Sequence, residues 1–407
     1  MEEKLLMTEK FPLSPRVEQA LERHREAILS ISRTLFENPE LSGEERQSVA
    51  FLASVLKEHG FEVTQPVGGL ETAFRAERRG RSERPRVAYL AEYDALPDEI
   101  GHGCGHNLIA AASTGAALAL GDVIGELEGS VVLLGTPAEE TIGGKIEMLR
   151  AGAFEDIDTA MMVHPSNETR VNTTSLAAYP VEVIFYGKEA HAASSPELGI
   201  NALDALVTFY VSLGLLQKQL RSDVRFPGII KEGGTRQNIV PARAVGIFSV
   251  RAADTDYLDY VIERIRETAQ AAAQAHGARF EVRHPENYFY EMCTNQALAE
   301  VCGRHIEEGG LSLIRTPRKK MGSLDMGTVS HTLPAIHPMI SVCDELSAHT
   351  PEFGRATQSE RGQHALLVAA RALALTGLAY LSSDDLRRRV HEEFAQAKKK
   401  ASARKAS

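Results

Sequence analysis

Four short apolar runs in this chain each end on residues with metal-binding or acid–base chemistry, and that recurrence restricts the fold more than any other feature. Residues 86–90 run into Glu92-Tyr93-Asp94, and Val131 to Leu134 run into Thr136-Pro137-Ala138-Glu139-Glu140. Thr159 to Val163 end at His164-Pro165, and Pro338 to Val342 are followed by Asp344, Glu345 and His349. Short, bounded aliphatic runs of this kind are buried strands. Helical stretches at 106–120 and 144–151 fall between them. Strands and helices therefore alternate, as in an α/β domain with a mostly parallel central sheet. Such sheets bind ligands beyond the carboxyl ends of their strands, so these groups are expected to gather there.

The loop after the first run, Gly101-His102-Gly103-Cys104-Gly105-His106-Asn107, leads into a long apolar stretch from Leu108 to Leu120. Glycines let the backbone turn tightly enough to aim a thiol and an imidazole at one point. Taken alone, Cys104 and His106 suit a turn with a buried thiol as well as half of a metal site. The stretch from Leu108 to Ile124 is rich in Ala, Ser, Thr and Gly and carries Asp122. That composition predicts a buried core helix, not a membrane span.

Earlier, Val17, Leu21, Ile28, Ile31 and Leu35 recur near the helical period, and 44–59 continue likewise to Gly60. The middle third changes character. Strand-like 179–186, helical 201–220, strand-like 228–231 and 244–250, helical 254–276 and strand-like 280–283 follow in order β-α-β-β-α-β, the ferredoxin-like arrangement. Asp254 and Gly277 mark the two ends of the second helix. A chain of 407 residues is long enough for two domains. The expected division is a discontinuous catalytic domain at 1–177 and 290–407, with 178–289 inserted as a second domain.

A net charge of −10 excludes a general nucleic-acid binder. The basic tail at Lys398, Lys399 and Lys400 reads as a solvated helix end. Cys104, Cys293, Cys302 and Cys343 are too scattered for a disulfide framework, and the first residues lack the pattern of a secretory leader. A cytoplasmic protein without membrane segments is the expectation.

Adjacent acids usually sit in solvent, but Glu139 and Glu140 follow four aliphatic residues and Thr-Pro. Neighbouring side chains at a strand end point apart, so one carboxylate can bind a metal while the other meets a water. Cys104, His106, Glu140, His164 and His349 make five donors. A two-metal site with one shared ligand and open positions needs about that many. A thiolate with imidazoles favours zinc, while mixed N, O and S donors also accept manganese or cobalt.

The motifs together resemble the dimetal amidohydrolase and exopeptidase family of aminoacylase, carboxypeptidase G-type enzymes and the auxin-conjugate hydrolases. The branch most similar is that of p-aminobenzoyl-glutamate hydrolase and its aminoacylase-like relatives. The resemblance runs from about residue 15 to 380. It rests on Glu92-Tyr93-Asp94-Ala95-Leu96-Pro97, Gly103-Cys104-Gly105-His106-Asn107, residues 135–140, Lys188-Glu189-Ala190-His191-Ala192-Ala193, residues 233–241, and Gly322-Ser323-Leu324-Asp325-Met326-Gly327.

It implies a phosphorylase/hydrolase-like catalytic domain with a ferredoxin-like lid and dimerisation domain. Cys104 would bridge two divalent ions, with Glu140 and His349 on one and His106 and His164 on the other. Glu139 would serve as general base toward a metal-activated water. Asp94 matches an acid that orients a ligand histidine two residues earlier in the wider family. Glu92 stands at that histidine's position, so His106 is expected to supply the ligand and Asp94 to support it from behind, with Asp325 in a similar outlying role. His191 would stabilise the oxyanion in the partner's site, which implies a homodimer, and Asn238 and Arg251 would hold the substrate carboxylate. Asn107, where the auxin-conjugate enzymes carry Asp, favours the p-aminobenzoyl-glutamate branch.

The implied reaction is hydrolysis of the amide bond in N-acyl or N-aroyl amino acids or small dipeptides bearing a free carboxylate. The same site on another C–N bond, such as that of an aryl amine, is the alternative. A catalytically silent, metal-stabilised binding protein would have lost Glu139 or a donor, and this chain keeps them all.

Overall fold

The computed structural model describes residues 11–316 and 322–405, with side chains to residue 400. The first residues, read above for a leader, lie outside the described residues. In chain order the elements are α1 (Ser14–Glu37), α2 (Arg46–Glu58), β1 (Glu62–Thr64), β2 (Phe74–Arg79), β3 (Arg86–Ala91), α3 (His106–Gly121), β4 (Ser130–Gly135), α4 (Gly144–Arg150), β5 (Thr159–Met161) and β6 (His164–Ser166). Then follow β7 (Ala177–Tyr186), α5 (Ala202–Leu216), β8 (Gly228–Glu232), β9 (Arg243–Ala252), α6 (Thr255–His276), β10 (Arg279–Arg283) and α7 (Gln296–Glu308). The last are α8 (Met326–Thr332), β11 (Ala335–Ile336), β12 (Met339–Ser341), α9 (Pro351–Thr357), α10 (Glu360–Ser382) and α11 (Asp384–Lys405). They form two compact units, one built from 11–174, 292–316 and 328–402, the other from 175–291 and 322–327.

The first unit holds a six-stranded sheet in the order β1-β2-β4-β3-β5-β11. The four strands β4, β3, β5 and β11 are parallel, and β2 and β1 add an antiparallel edge. Every residue of β3 and β4 is buried, as near-continuous aliphatic strands of a covered parallel sheet should be. One expectation needs correction. The fourth apolar run, Pro338 to Val342, does not enter the sheet: Met339–Ser341 pairs with β6 in a separate two-stranded ladder, and the place beside β5 is taken by Ala335–Ile336, just before the run. Pro338, between the two paired segments, has no N–H to offer a ladder, which is where the pairing is interrupted. His164 N still donates to Pro338 O at 2.9 Å, so the segments stay side by side and bring His164 and His337 together.

α3 is buried along all sixteen residues. Its small residues let neighbours approach closely: a Cβ at Gly115 would lie 2.7 Å from Ile28 Cδ1 of α1. Among the described residues, α10 alone is long and apolar enough to cross a membrane, and 83% of its apolar window is buried inside the protein. It is a core helix, with Leu366, Leu373 and Leu378 fully covered.

The second unit is an antiparallel sheet in the order β10-β7-β9-β8 with α5 and α6 packed on it, which is the ferredoxin-like topology. Ala202, Ala205, Leu206, Phe209 and Leu213 turn one face of α5 inward, against Val183, Phe185 and Phe248. Asp254 accepts from Tyr257 N to cap α6, and Gly277 ends it at φ +65°. A cap of that kind contributes about 1 kcal/mol. The loop carrying Asp325 was expected with the flanking segments but packs with this unit, where Leu176 N donates to Gly322 O at 2.8 Å.

Candidate metal centre

The carboxyl ends of β3, β4 and β5 and the turn before α9 bring the expected donors of the first unit together. β3 delivers Glu92, Tyr93 and Asp94, all buried. Gly105 then takes φ +83°, a left-handed conformation that suits glycine, and a Cβ there would lie 2.4 Å from Pro165 Cγ. That turn starts α3 at His106, so the ring is fixed to a rigid helix. His106 Nδ1 meets Asp94 Oδ1 at 2.9 Å. Asp94 thus orients a histidine, though a different one from that in the wider family, and Nε2 of His106 is left facing the centre.

Asp94 is itself held by Ser42 Oγ at 2.7 Å and by Glu140 N at 3.1 Å. Burial opposes its ionisation, but His106, Ser42 and the Glu140 amide outweigh that and hold the carboxyl below its usual range. Burial likewise disfavours a charge on His106, yet Asp94 and Cys104 raise its pKa well above the ordinary histidine value.

Cys104 Sγ lies 3.6 Å from His164 Nε2. His164 Nδ1 donates to Pro165 O at 2.7 Å, which leaves the lone pair of Nε2 toward the thiol. Burial pushes the Cys104 thiol far above its ordinary range. Glu140 Oε1 is 3.3 Å from His349 Nε2 and 3.8 Å from His106 Nε2. Burial raises the pKa of Glu140, but His349, His106 and Cys104 outweigh it and lower the value. His349 has φ +68° and Ala138, just before Glu139, has φ +58°. Non-glycine residues in that region cost of order 1 kcal/mol or more and cluster at functional sites. His349 N donates to Gly103 O at 2.9 Å, and Ala138 N donates to buried Glu45 Oε1 at 2.9 Å, so each strained turn is tied down.

Three groups of ligand atoms lie within 4.8 Å of one another: Cys104, His106 and His164; Cys104, Glu140 and His349; and His106, Glu139 and Glu140. The first two share the Cys104 sulfur. Buried His106 Nε2 and Glu140 Oε1 have no hydrogen-bond partner, as expected of atoms meant for a cation. The donor set therefore fits a pair of divalent ions.

Several neighbours carry no sequence motif that would have found them. Glu45 and Ser42 come from the segment before α2, and Lys145 is fully buried at the start of α4 against Glu92. His337 is buried with its ring centroid 5.5 Å from that of His164, and burial holds it neutral. Asn107 proves to be a packing residue: its amide donates to Ser32 Oγ at 2.9 Å and Thr357 Oγ1 at 3.0 Å. His102 has neither ring nitrogen hydrogen-bonded, and burial brings its pKa down to about 3.

In the second unit, His191 is exposed and its Nδ1 accepts from Ala193 N and Ser194 N at 3.2 Å each, so Nε2 carries the proton. Asn238 lies beside it, with Ala192 N donating to Asn238 O at 3.0 Å. Arg251 does not join them. It pairs in register with Ala178, at the opposite end of β9 from Arg243. The eight residue-to-residue steps of strand from Arg243 to Arg251 span roughly 26 Å. Arg251 therefore lies at the far end of β9 from Arg243, which follows the segment carrying Asn238, and Asp325 is buried in the same unit, just before α8.

Donors gathered at the ends of a parallel sheet, with a glutamate pair among them, define a hydrolase of the metallopeptidase class. More particularly, the chain belongs to peptidase family M20/M25/M40, whose sequence profile matches residues 88–370. It is 36% identical to the Xaa-Arg dipeptidase of Homo sapiens, over 94% of this chain and 92% of that protein. It is 34% identical to one of the subunits of the p-aminobenzoyl-glutamate hydrolase of Escherichia coli, over 63% of this chain and 57% of the relative. A dinuclear metal-binding M20 peptidase of Bacillus subtilis superposes with a TM-score of 0.69 at 22% identity, covering 88% of this chain and 99% of that one.

Proposed function

We propose that the protein is a dimetal amidohydrolase that cleaves small dipeptides and N-acyl or N-aroyl amino acids bearing a free carboxylate. The observation that carries this reading is the pair of donor groups sharing Cys104, with Glu139 beside them. Cys104, Glu140 and His349 would hold one ion, and Cys104, His106 and His164 the other. Zinc or manganese suits this set, with cobalt as an alternative. Such ions supply Lewis-acid polarisation of the amide carbonyl and acidify the attacking water. Glu139 accepts the proton as the water oxygen bonds to the carbonyl carbon, and delivers it to the nitrogen as the C–N bond breaks. The Xaa-Arg dipeptidase likeness, which spans nearly the whole chain, favours dipeptides, and the p-aminobenzoyl-glutamate hydrolase likeness favours an aroyl amino acid. The test is product-resolved hydrolysis of p-aminobenzoyl-glutamate, N-acetyl amino acids and Xaa-Arg dipeptides, each with its carboxylate free or amidated. Cleavage of at least one free acid, and loss of cleavage on amidation, is expected. No turnover of any of them with zinc, manganese or cobalt supplied would refute the reading.

A homodimer through the second unit belongs to the same proposal. β8 is an edge strand whose Ile229 is 63% exposed, and Val211 and Leu215 of α5, the helix whose Tyr210 hydroxyl donates to Gly228 O of β8, are 61% and 58% exposed. An unpaired edge next to an apolar face invites a second copy. The length of β9 that separates Arg251 from Arg243, and so from the segment before β9 that carries Asn238, favours a site completed by two chains. His191 of the partner subunit would then meet the oxyanion while Asn238 and Arg251, from different copies, meet the carboxylate. Replacing Val211 and Ile229 together with Lys is expected to halve the mass in solution and abolish turnover. A parent protein that is monomeric and fully active would contradict this. Four cysteines with no disulfide among them accord with a cytoplasmic location.

A further inference from the structure

One buried carboxylate outside the five donors faces the same point. Glu92 is 2% exposed, and its Oε1 accepts from Lys145 Nζ at 2.5 Å. Its Oε2 has no hydrogen-bond partner and lies 3.4 Å from His106 Nε2. With Nδ1 of His106 bonded to Asp94, Nε2 is the ring's only other donor atom, and it too lacks a hydrogen-bond partner. Glu140 Oε1, a third buried atom without such a partner, is 3.8 Å from Nε2. Leaving Glu92 Oε2 and His106 Nε2 unsatisfied in a dry interior is costly, and a single cation between them would satisfy both, while Glu140 Oε1 also faces His349 Nε2 at 3.3 Å on the side of the neighbouring ion.

We propose that Glu92 is an additional oxygen donor to the divalent cation at His106, with Lys145 holding its other oxygen so that it binds through one oxygen only. This rests on the reading above that a cation sits there. A carboxylate used purely as a structural counterion would have no reason to keep an unsatisfied oxygen turned toward an imidazole nitrogen. Lys145 comes from the first turn of α4, which follows the Glu139-Glu140 turn, so the ammonium is fixed by the element that also anchors those glutamates. Its positive charge offsets one carboxylate in a site already rich in them, and without the ammonium both oxygens of Glu92 become available.

The test uses metal-stripped full-length protein titrated with cobalt(II), followed by calorimetry and by visible absorption. Glu92→Gln is expected to weaken one of two cobalt sites by roughly 10–100-fold or more, with a changed absorption band, and to leave the other site near its parental affinity. Lys145→Met leaves the Glu92 charge in place, and its cobalt affinity should equal or exceed that of the parent. The double variant removes both charges and guards against misfolding. It should recover the parental melting temperature while keeping the weakened site. Parental cobalt affinity at both sites in Glu92→Gln, or its recovery in the double variant, would overturn the inference and leave the pair as structural. A parent that binds no cobalt would instead overturn the functional reading, and this inference with it.

Discussion

Glu139→Gln is expected to lower kcat by ~10²–10⁴-fold while the bound metal stays at the parental level. Glutamine keeps the shape and the hydrogen bonding of the side chain but cannot take a proton from water. If Glu139 were a metal ligand, as its proximity to His106 and Glu140 allows, the same change would release metal. Elemental analysis of the purified variant beside its kinetics therefore separates the two roles. The substrate KM should change little, because the lost interaction belongs to the proton transfer and not to substrate binding.

Cys104→Ala should have the larger effect on metal content. Cys104 is the only residue common to both the group with His106 and His164 and the group with Glu140 and His349. Its loss therefore weakens both ions, and bound metal should fall well below the parental level with activity down by about 10³-fold or more. His164→Ala and Glu140→Ala should each deplete mainly one ion. The reaction also has a sign with pH. Burial holds the free thiol protonated far above its ordinary range, so metal uptake must expel that proton. Apparent affinity accordingly falls as pH falls. Calorimetry in buffers of different ionisation enthalpy should register proton release in the parent and less of it in Cys104→Ala. Equal release in both would mean that Cys104 stays protonated and holds no metal.

Much of the fold was legible because it rests on local pattern. The aliphatic runs 86–90 and 131–134 could only be covered strands, the Ala- and Leu-rich stretch after His106 could only be a buried helix, and Asp254 and Gly277 bounded α6 as capping chemistry requires. Cys104, His106, Glu140 and His164 gather because they follow strands of one parallel sheet, whereas His349 arrives from the turn before α9. What was not legible depends on long-range contacts. Glu45 supports the turn at Ala138 from 93 residues away, and Lys145 reaches Glu92 across 53. Nothing in the local sequence of either marks that partnership. Asn107 reads as a mark of the branch, because the auxin-conjugate enzymes carry Asp there, and its contacts with Ser32 and Thr357 have no mark in the local sequence. The placement of Arg251 at the far end of β9 from Arg243 likewise depends on strand register that no local pattern around Asn238 or Arg251 records.

The central claim is that turnover depends on two divalent ions held by the donors around Cys104. The most direct measurement is metal content per chain together with amide hydrolysis, before chelation, after it, and after zinc, manganese or cobalt is restored. Two ions per chain, activity lost on chelation and recovered on restoration are the results expected. Hydrolysis that survives complete removal of metal would contradict the account.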